Sequence, residues 1–199
     1  MSQVLDKPLV VHNVISKQYQ AELEHRFVGE NTMPWHFTYE TTHEDERVET
    51  SSVMFHMFQY KAWGSNVSPH FDFVKPLLYE LIQLSGTPFT EFLQVRAICQ
   101  FPIITSRKHN LIHTDLEDPV PYHTGVYYVT DNCDGDTVIF NETFYNVPPD
   151  QVKEKYKSFT EIQRVNPVRG SAVMFPGSQY HSSTLPTKKV RSVLNFSWR

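Results

Sequence analysis

Six short runs of β-branched and aromatic residues crowd the second half of the chain and leave it few ways to fold. They are EFLQVRAICQFPI (91–103), NLIHTD (110–115), HTGVYYVTD (123–131), DTVIFNE (136–142), SAVMFPG (171–177) and VRSVLNFSW (190–198). Side chains of this kind fit a pleated, half-buried surface. Turn formers such as DNCDGD (131–136) and FPGSQ (175–179) separate several of the runs, and one helical segment, PDQVKEKYKSF (149–159), interrupts them. Strands this short and close together suit antiparallel pairing, because a parallel crossover needs a dozen or more residues. A sandwich or barrel is expected.

The first ninety residues read differently. LVVHNV (9–14), MPWHFTYE (33–40) and SVMFHMFQY (52–60) are predicted strands. SKQYQAELEHRF (16–27) is predicted as a helix capped by Ser16. DFVKPLLYELIQLSG (72–86) repeats apolar residues at helical spacing, with Pro76 placed in its first turn and Gly86 as the stop. The expected fold is mainly β with supporting helices: a double-stranded β-helix (jelly roll, cupin-like) core braced by helices on one face. A chain of 199 residues suits one domain. Residues 1–90 would give helical support and early strands, and 91–199 the jelly-roll core.

Charge and cysteine content narrow the function classes. A net charge of −4 disfavours nucleic acid as a partner. No apolar run reaches membrane-spanning length and no signal peptide is visible, so no membrane partner is expected. Two cysteines, Cys99 and Cys133, allow one bridge at most, and the cytoplasm is the expected location. The acidic stretch THEDERVE (42–49) reads as a solvated loop or an edge strand.

Chemistry concentrates in NLIHTDLEDP (110–119). On a strand, residues at i and i+2 share a face, so His113 and Asp115 would converge while Thr114 points away. His181 follows a strand and a turn downstream, and Arg191 opens the last strand. Two histidines and one carboxylate on one face of an ion leave the opposite positions open, as Fe(II) oxygenases require. A pocket-facing arginine ten residues later could clamp a carboxylate bidentately. Alternation also places Thr124, Val126 and Tyr128 on one face, with Tyr127 on the other. Gln94, Arg96 and Gln100 form a polar row that lines the pocket or faces water. Asn195 shares the face of Arg191, in reach of a metal's outer shell. His123 either touches substrate or sits at a strand edge, while His36, His43, His56, His70 and His109 have no metal spacing and read as structural or surface residues.

His113-x-Asp115, His181 and Arg191, together with TGVYYVTDNCDGDTVIF, GSAVMFPGSQYHSS and VRSVLNFSW, resemble the 2-oxoglutarate- and Fe(II)-dependent dioxygenases, especially their prolyl-hydroxylase-like branch. The likeness spans roughly residues 94–199, with Asp134-Gly135 where that branch often has two glycines. It implies that His113, Asp115 and His181 hold Fe(II). It also implies that 2-oxoglutarate chelates the metal, that Arg191 and Tyr128 meet its far carboxylate, and that Thr137 sits nearby. The implied reaction couples decarboxylation of 2-oxoglutarate to succinate with hydroxylation of a C–H bond, using dioxygen and supported by ascorbate as reductant. A peptidyl, prolyl-like substrate or a free amino acid is the leading expectation.

Other readings compete for the same residues. A non-catalytic jelly-roll binding module would not need three ligands plus a basic residue. A zinc hydrolase would leave the arginine without a purpose and needs a general base that is not found. The nucleic-acid demethylase branch carries a second arginine six positions after the first, where this chain has Ser197. An oxygenase of the same class acting on another small metabolite stays open. Candidate substrate loops are 30–50, 59–70 and 141–153, whose Trp35, Tyr60, Trp63 and Tyr145 would stack on substrate or serve as hydrophobic caps.

Overall fold

The computed structural model describes residues 5–29, 33–38, 52–64, 67–104, 109–131 and 133–199. Tyr39, Glu40, His43, the 42–49 stretch and the side chain of Trp63 lie outside them. In chain order the elements are β1 (Leu9–His12), α1 (Lys17–Val28), β2 (His36–Thr38), β3 (Val53–Tyr60), α2 (Phe71–Ser85), β4 (Phe92–Gln100), β5 (His123–Tyr128), β6 (Thr137–Thr143), α3 (Val152–Lys155), β7 (Glu161–Val165), β8 (Ser171–Pro176), β9 (Gln179–Ser183) and β10 (Arg191–Trp198).

Every strand pairing is antiparallel, as the short spacings required. A seven-stranded sheet runs β1-β8-β5-β10-β4-β3-β2, and a three-stranded sheet runs β7-β6-β9. Helices α1 and α2 cover one face of the large sheet. Leu23 and Phe27 of α1 and Val74, Leu77, Leu78 and Leu81 of α2 share one core with Val95, Ala97, Tyr127, Met174, Leu194, Phe196 and Trp198. Fully burying each leucine there contributes about 1.5–3 kcal/mol. The opposite face meets the small sheet through Val126, Tyr128, Val173, Phe175 and Val193 packed on Ile139 and Val165.

Local signals explain most boundaries. Ser16 caps α1 by accepting a hydrogen bond from the Tyr19 amide. Gly86 ends α2 in the left-handed conformation, φ 68°, which only glycine adopts without cost. Pro76 lies in the second turn of α2 rather than its first, because the helix starts earlier, at Phe71. The proline ring leaves that turn one hydrogen bond short, and burial of Leu77, Leu78 and Leu81 offsets the loss.

Several other expectations are corrected. NLIHTD is not a regular strand; His113 makes one isolated bridge, to His181. PDQVKEKYKSF is one α-helical turn flanked by 3-10 turns, since only Val152 and Phe159 dock, on the cluster of Ile112, Phe140 and Tyr180, too few to carry a longer helix. His181 lies inside a strand, β9, whose polar QYHSS gives no β-branched signal. Strand β7, EIQRV, was likewise not expected. Tyr127 does point away from Tyr128's face, but into the helix-side core rather than to solvent.

Candidate active site

Backbone pairing brings the two histidines together. The amide of His113 donates to the carbonyl of His181 at 3.0 Å, and the reverse bond is 2.9 Å. They are a hydrogen-bonded cross-strand pair, whose side chains leave the backbone on the same side. Their ring centroids are 4.6 Å apart. Asp115 follows two residues later, and its Oδ2 lies 3.6 Å from His181 Nε2. One ligand atom from each of the three residues falls within 4.8 Å of the others.

The donor chemistry fits a divalent metal. Nδ1 of His113 lies 3.0 Å from the Leu111 carbonyl, and Nδ1 of His181 lies 3.3 Å from the Gln179 carbonyl. A carbonyl only accepts, so Nδ1 carries the hydrogen and each Nε2 keeps its lone pair. Donors side by side on an ion at roughly 2.1 Å stand about 3 Å apart, so the groups, now within 4.8 Å of one another, would draw together around a bound ion. Burial lowers the pKa of both rings. His113 falls to about 4, through desolvation first and the neighbouring His181 second. His181 falls through desolvation, which outweighs the attraction of Asp115. Both rings are therefore neutral at neutral pH, the form that ligates.

Asp115 is held as a carboxylate. Burial alone would raise its pKa, but the charges of His181, Arg96 and His113 and a hydrogen bond from Asn195 together bring it to about 2. Arg96 Nη2 donates to Oδ1 at 2.8 Å and Asn195 Nδ2 donates to Oδ2 at 3.0 Å. Arg96 and Asn195 are themselves cross-strand partners on β4 and β10, 3.3 Å apart through Nε and Oδ1. The polar row thus lines the site rather than facing water, and Asn195 reaches the ligand carboxylate.

Arg191 is buried beside this cluster. Its Nε donates to the Gly135 carbonyl at 2.6 Å, Nη1 to Gln100 Oε1 at 3.0 Å and Nη2 to Thr137 Oγ1 at 2.9 Å. Tyr128 donates to the same Thr137 oxygen at 2.7 Å. Burial pushes the Tyr128 phenol up to about 12 despite the nearby Arg191, so it stays a donor. Desolvation also lowers the Arg191 pKa from its usual value. Among the described residues no carboxylate pairs with Arg191 at ion-pair distance. Gly135 is needed here because a Cβ at that position would collide with Arg191 Cδ. A buried cation with spare donors and no anion fits the far carboxylate of a dianion such as 2-oxoglutarate.

Sequence reasoning missed Tyr122, which fixes the loop after the ligands. Its hydroxyl donates to the Leu116 carbonyl at 2.6 Å and accepts from the Leu116 amide at 3.1 Å. Its ring fills the space where Gly177 lacks a side chain. For two residues with an open role, the structure favours the reading away from the site. His123 stacks on Trp198 at 5.2 Å on the helix side, because its strand position alternates with Thr124. Trp35 packs edge-on against Phe27, 6.1 Å away, as a hydrophobic cap. Of the other histidines, His56 is buried between the Pro34 carbonyl and Ser68, and His109 binds the Asn110 carbonyl; neither joins a metal cluster. His36 tilts against Phe55, and His70 meets His56 edge-on.

No protein-family model matches the chain. No curated protein matches it in sequence either. Solved structures do match in shape. An oxidoreductase of the 2OG-Fe(II) oxygenase family from Burkholderia pseudomallei aligns with TM-score 0.66 at 13% identity, covering 96% of this chain and 85% of that one. A Pseudomonas putida prolyl-4-hydroxylase aligns with TM-score 0.56 at 12% identity, over 97% and 92% of the two chains. The non-heme alpha-ketoglutarate-dependent carbocyclase SnoK from nogalamycin biosynthesis aligns with TM-score 0.62 at 15% identity, over 96% and 79%. The chain has the double-stranded β-helix fold these proteins share.

Proposed function

We propose that this chain is a 2-oxoglutarate- and Fe(II)-dependent oxygenase that hydroxylates a C–H bond of an amino-acid substrate, free or within a peptide. The observation that carries the reading is the neutral-histidine, ionised-aspartate triad set beside a buried arginine that has no anion of its own. The shared fold supports it. A binding module would have no use for that pairing.

The chain's own groups divide the work. His113, Asp115 and His181 would hold the iron. Arg96 and Asn195 keep Asp115 charged and oriented, which preserves ligand geometry through turnover. Arg191 receives the distal carboxylate of 2-oxoglutarate, with Tyr128 and Thr137 closing the hydrogen-bond network around it. Iron held there would supply the oxidation, with dioxygen and 2-oxoglutarate as co-substrates and succinate, carbon dioxide and the hydroxylated substrate as products. The carbocyclase neighbour favours one variation, an oxygenase of this class acting on another small metabolite. Both cysteines are free and buried, which suits a reducing compartment such as the cytoplasm. No helix among the described residues is long and apolar enough to cross a membrane.

The test is anaerobic titration of purified protein with Fe(II), followed by a succinate assay with 2-oxoglutarate, ascorbate and air. One iron per chain and 2-oxoglutarate-dependent succinate release are expected. Absence of metal binding in the folded protein would refute the reading.

A further inference from the structure

Two buried amide oxygens at the site have no hydrogen-bond partner. They are Oε1 of Gln94 and Oε1 of Gln179. A buried acceptor without a donor costs free energy, so such an atom gains from a donor brought from outside the chain. Among the described residues, the other buried side-chain atoms without partners, on His123 and Tyr127, face the helices instead.

Both glutamines lie on the same side of the triad, away from Arg191. On β4, Gln100 bonds Arg191, Arg96 bonds Asp115, and Gln94 comes next on the same face. On β9, Ser183 accepts from Gln100 at 3.1 Å, His181 is the candidate ligand, and Gln179 comes next on the same face. By strand order the two enclosed oxygens therefore lie beyond the triad, on the side opposite Arg191. Gln94 pairs with Ser197, and Ser197 with Thr124, so hydroxyls complete the row. Those two hydroxyls are 3.3 Å apart.

We infer that the substrate is a small uncharged or zwitterionic molecule presenting at least two N–H or O–H donors, received by Gln94 and Gln179, beside the carbon that is oxidised. This rests on the oxygenase reading and narrows it. Arg96 already neutralises Asp115, and the co-substrate answers Arg191, so no spare negative charge favours a bare cation. Hydroxyls, amides or an ammonium balanced by its own carboxylate satisfy the two oxygens. A peptidyl proline satisfies them less well, because its ring offers only C–H groups and its own nitrogen has no hydrogen, which leaves only the amides of flanking residues as donors. The site thus favours a free amino acid or a polyol over a prolyl peptide.

The experiment uses protein loaded with Mn(II) and 2-oxoglutarate without oxygen. Calorimetry measures binding of free amino acids, monosaccharides and polyols, and N-blocked prolyl peptides, to wild type and to Gln94→Leu and Gln179→Leu. At least one free donor-bearing compound should bind, and each substitution should weaken it about tenfold, the worth of one hydrogen bond. The unliganded variants should melt no lower than wild type, since each loses an unsatisfied oxygen. Gln→Met at either position replaces a leucine variant that fails to fold. Binding by prolyl peptides alone, by no compound, or with affinities unchanged in the variants overturns the inference. Wild-type protein that takes neither Mn(II) nor 2-oxoglutarate would instead overturn the oxygenase reading.

Discussion

Strand β10 carries two chemistries on its two faces. Toward the helices it presents Ser192, Leu194, Phe196 and Trp198; toward the small sheet it presents Arg191, Val193, Asn195 and Ser197. All eight residues are buried, so exposure does not distinguish the faces. One face is mainly apolar and holds the sheet to its helices. The other adds Val193 to the core between the sheets and commits Arg191, Asn195 and Ser197 to side-chain hydrogen bonds. Burial on the first face stabilises the fold, and burial on the second prepares a site.

Substitutions that break this division should separate function from stability. The largest effect is expected at the triad: Asp115→Ala should abolish metal binding, read by titration, and with it succinate release. Next, Arg191→Ala should raise the 2-oxoglutarate requirement on the order of a thousandfold, the 3–5 kcal/mol scale of a broken buried charge pair, while Mn(II) binding persists. An unchanged requirement would transfer the role to another cation, Lys189 being nearest in sequence.

On the other face, Leu194→Ala should cost about 2–5 kcal/mol of stability in denaturant unfolding and leave the KM for 2-oxoglutarate unaltered. Loss of co-substrate affinity in that variant would show that the two faces are coupled. Asn195→Ala, one residue further along, should do the reverse. Metal affinity should fall roughly 10–100-fold with little change in melting temperature.

The smallest effect is in pH. His113 and His181 on the site side, and His56 on the helix side, all have lowered pKa values, each mainly through burial. The unfolded chain then binds more protons than the folded one below the ordinary histidine value. Stability should fall as pH drops from about 6.5 toward 4. Saturating Mn(II) should keep that slope and carry it below about pH 4, because ligation holds His113 and His181 deprotonated in the folded chain alone, and melting curves with and without metal across roughly pH 3–7 check this.

Much of this was readable in the sequence because alternation survives burial. VRSVLNFSW placed Arg191 and Asn195 on one face, and TGVYYV placed Tyr128 opposite Tyr127. The same rule left the Gln94–Arg96–Gln100 row open, since alternation names a face but not what covers it. The small sheet supplied the cover, and it was the hardest part to see. QYHSS and EIQRV lack the apolar runs that mark strands, and their pairing with DTVIFNE is long-range. The ligand pair was found for a partly wrong reason. His113 and Asp115 converge through one bridge to His181 and a bend, not through a regular strand. Pro76 misled because a strong apolar stripe carries α2 back to Phe71 across the proline.

The double hydrogen bond from Tyr122 to Leu116 has a use for protein engineering. One side chain pins the chain on both sides of residues 117–121, with the candidate ligands upstream and β5 downstream. Glu117, Pro119 and Val120 are exposed, whereas Asp118 ties to Arg199 at 3.2 Å. A combinatorial library at 117, 119 and 120 that keeps Asp118 and Tyr122 would diversify a loop next to the cleft without disturbing the metal-binding groups.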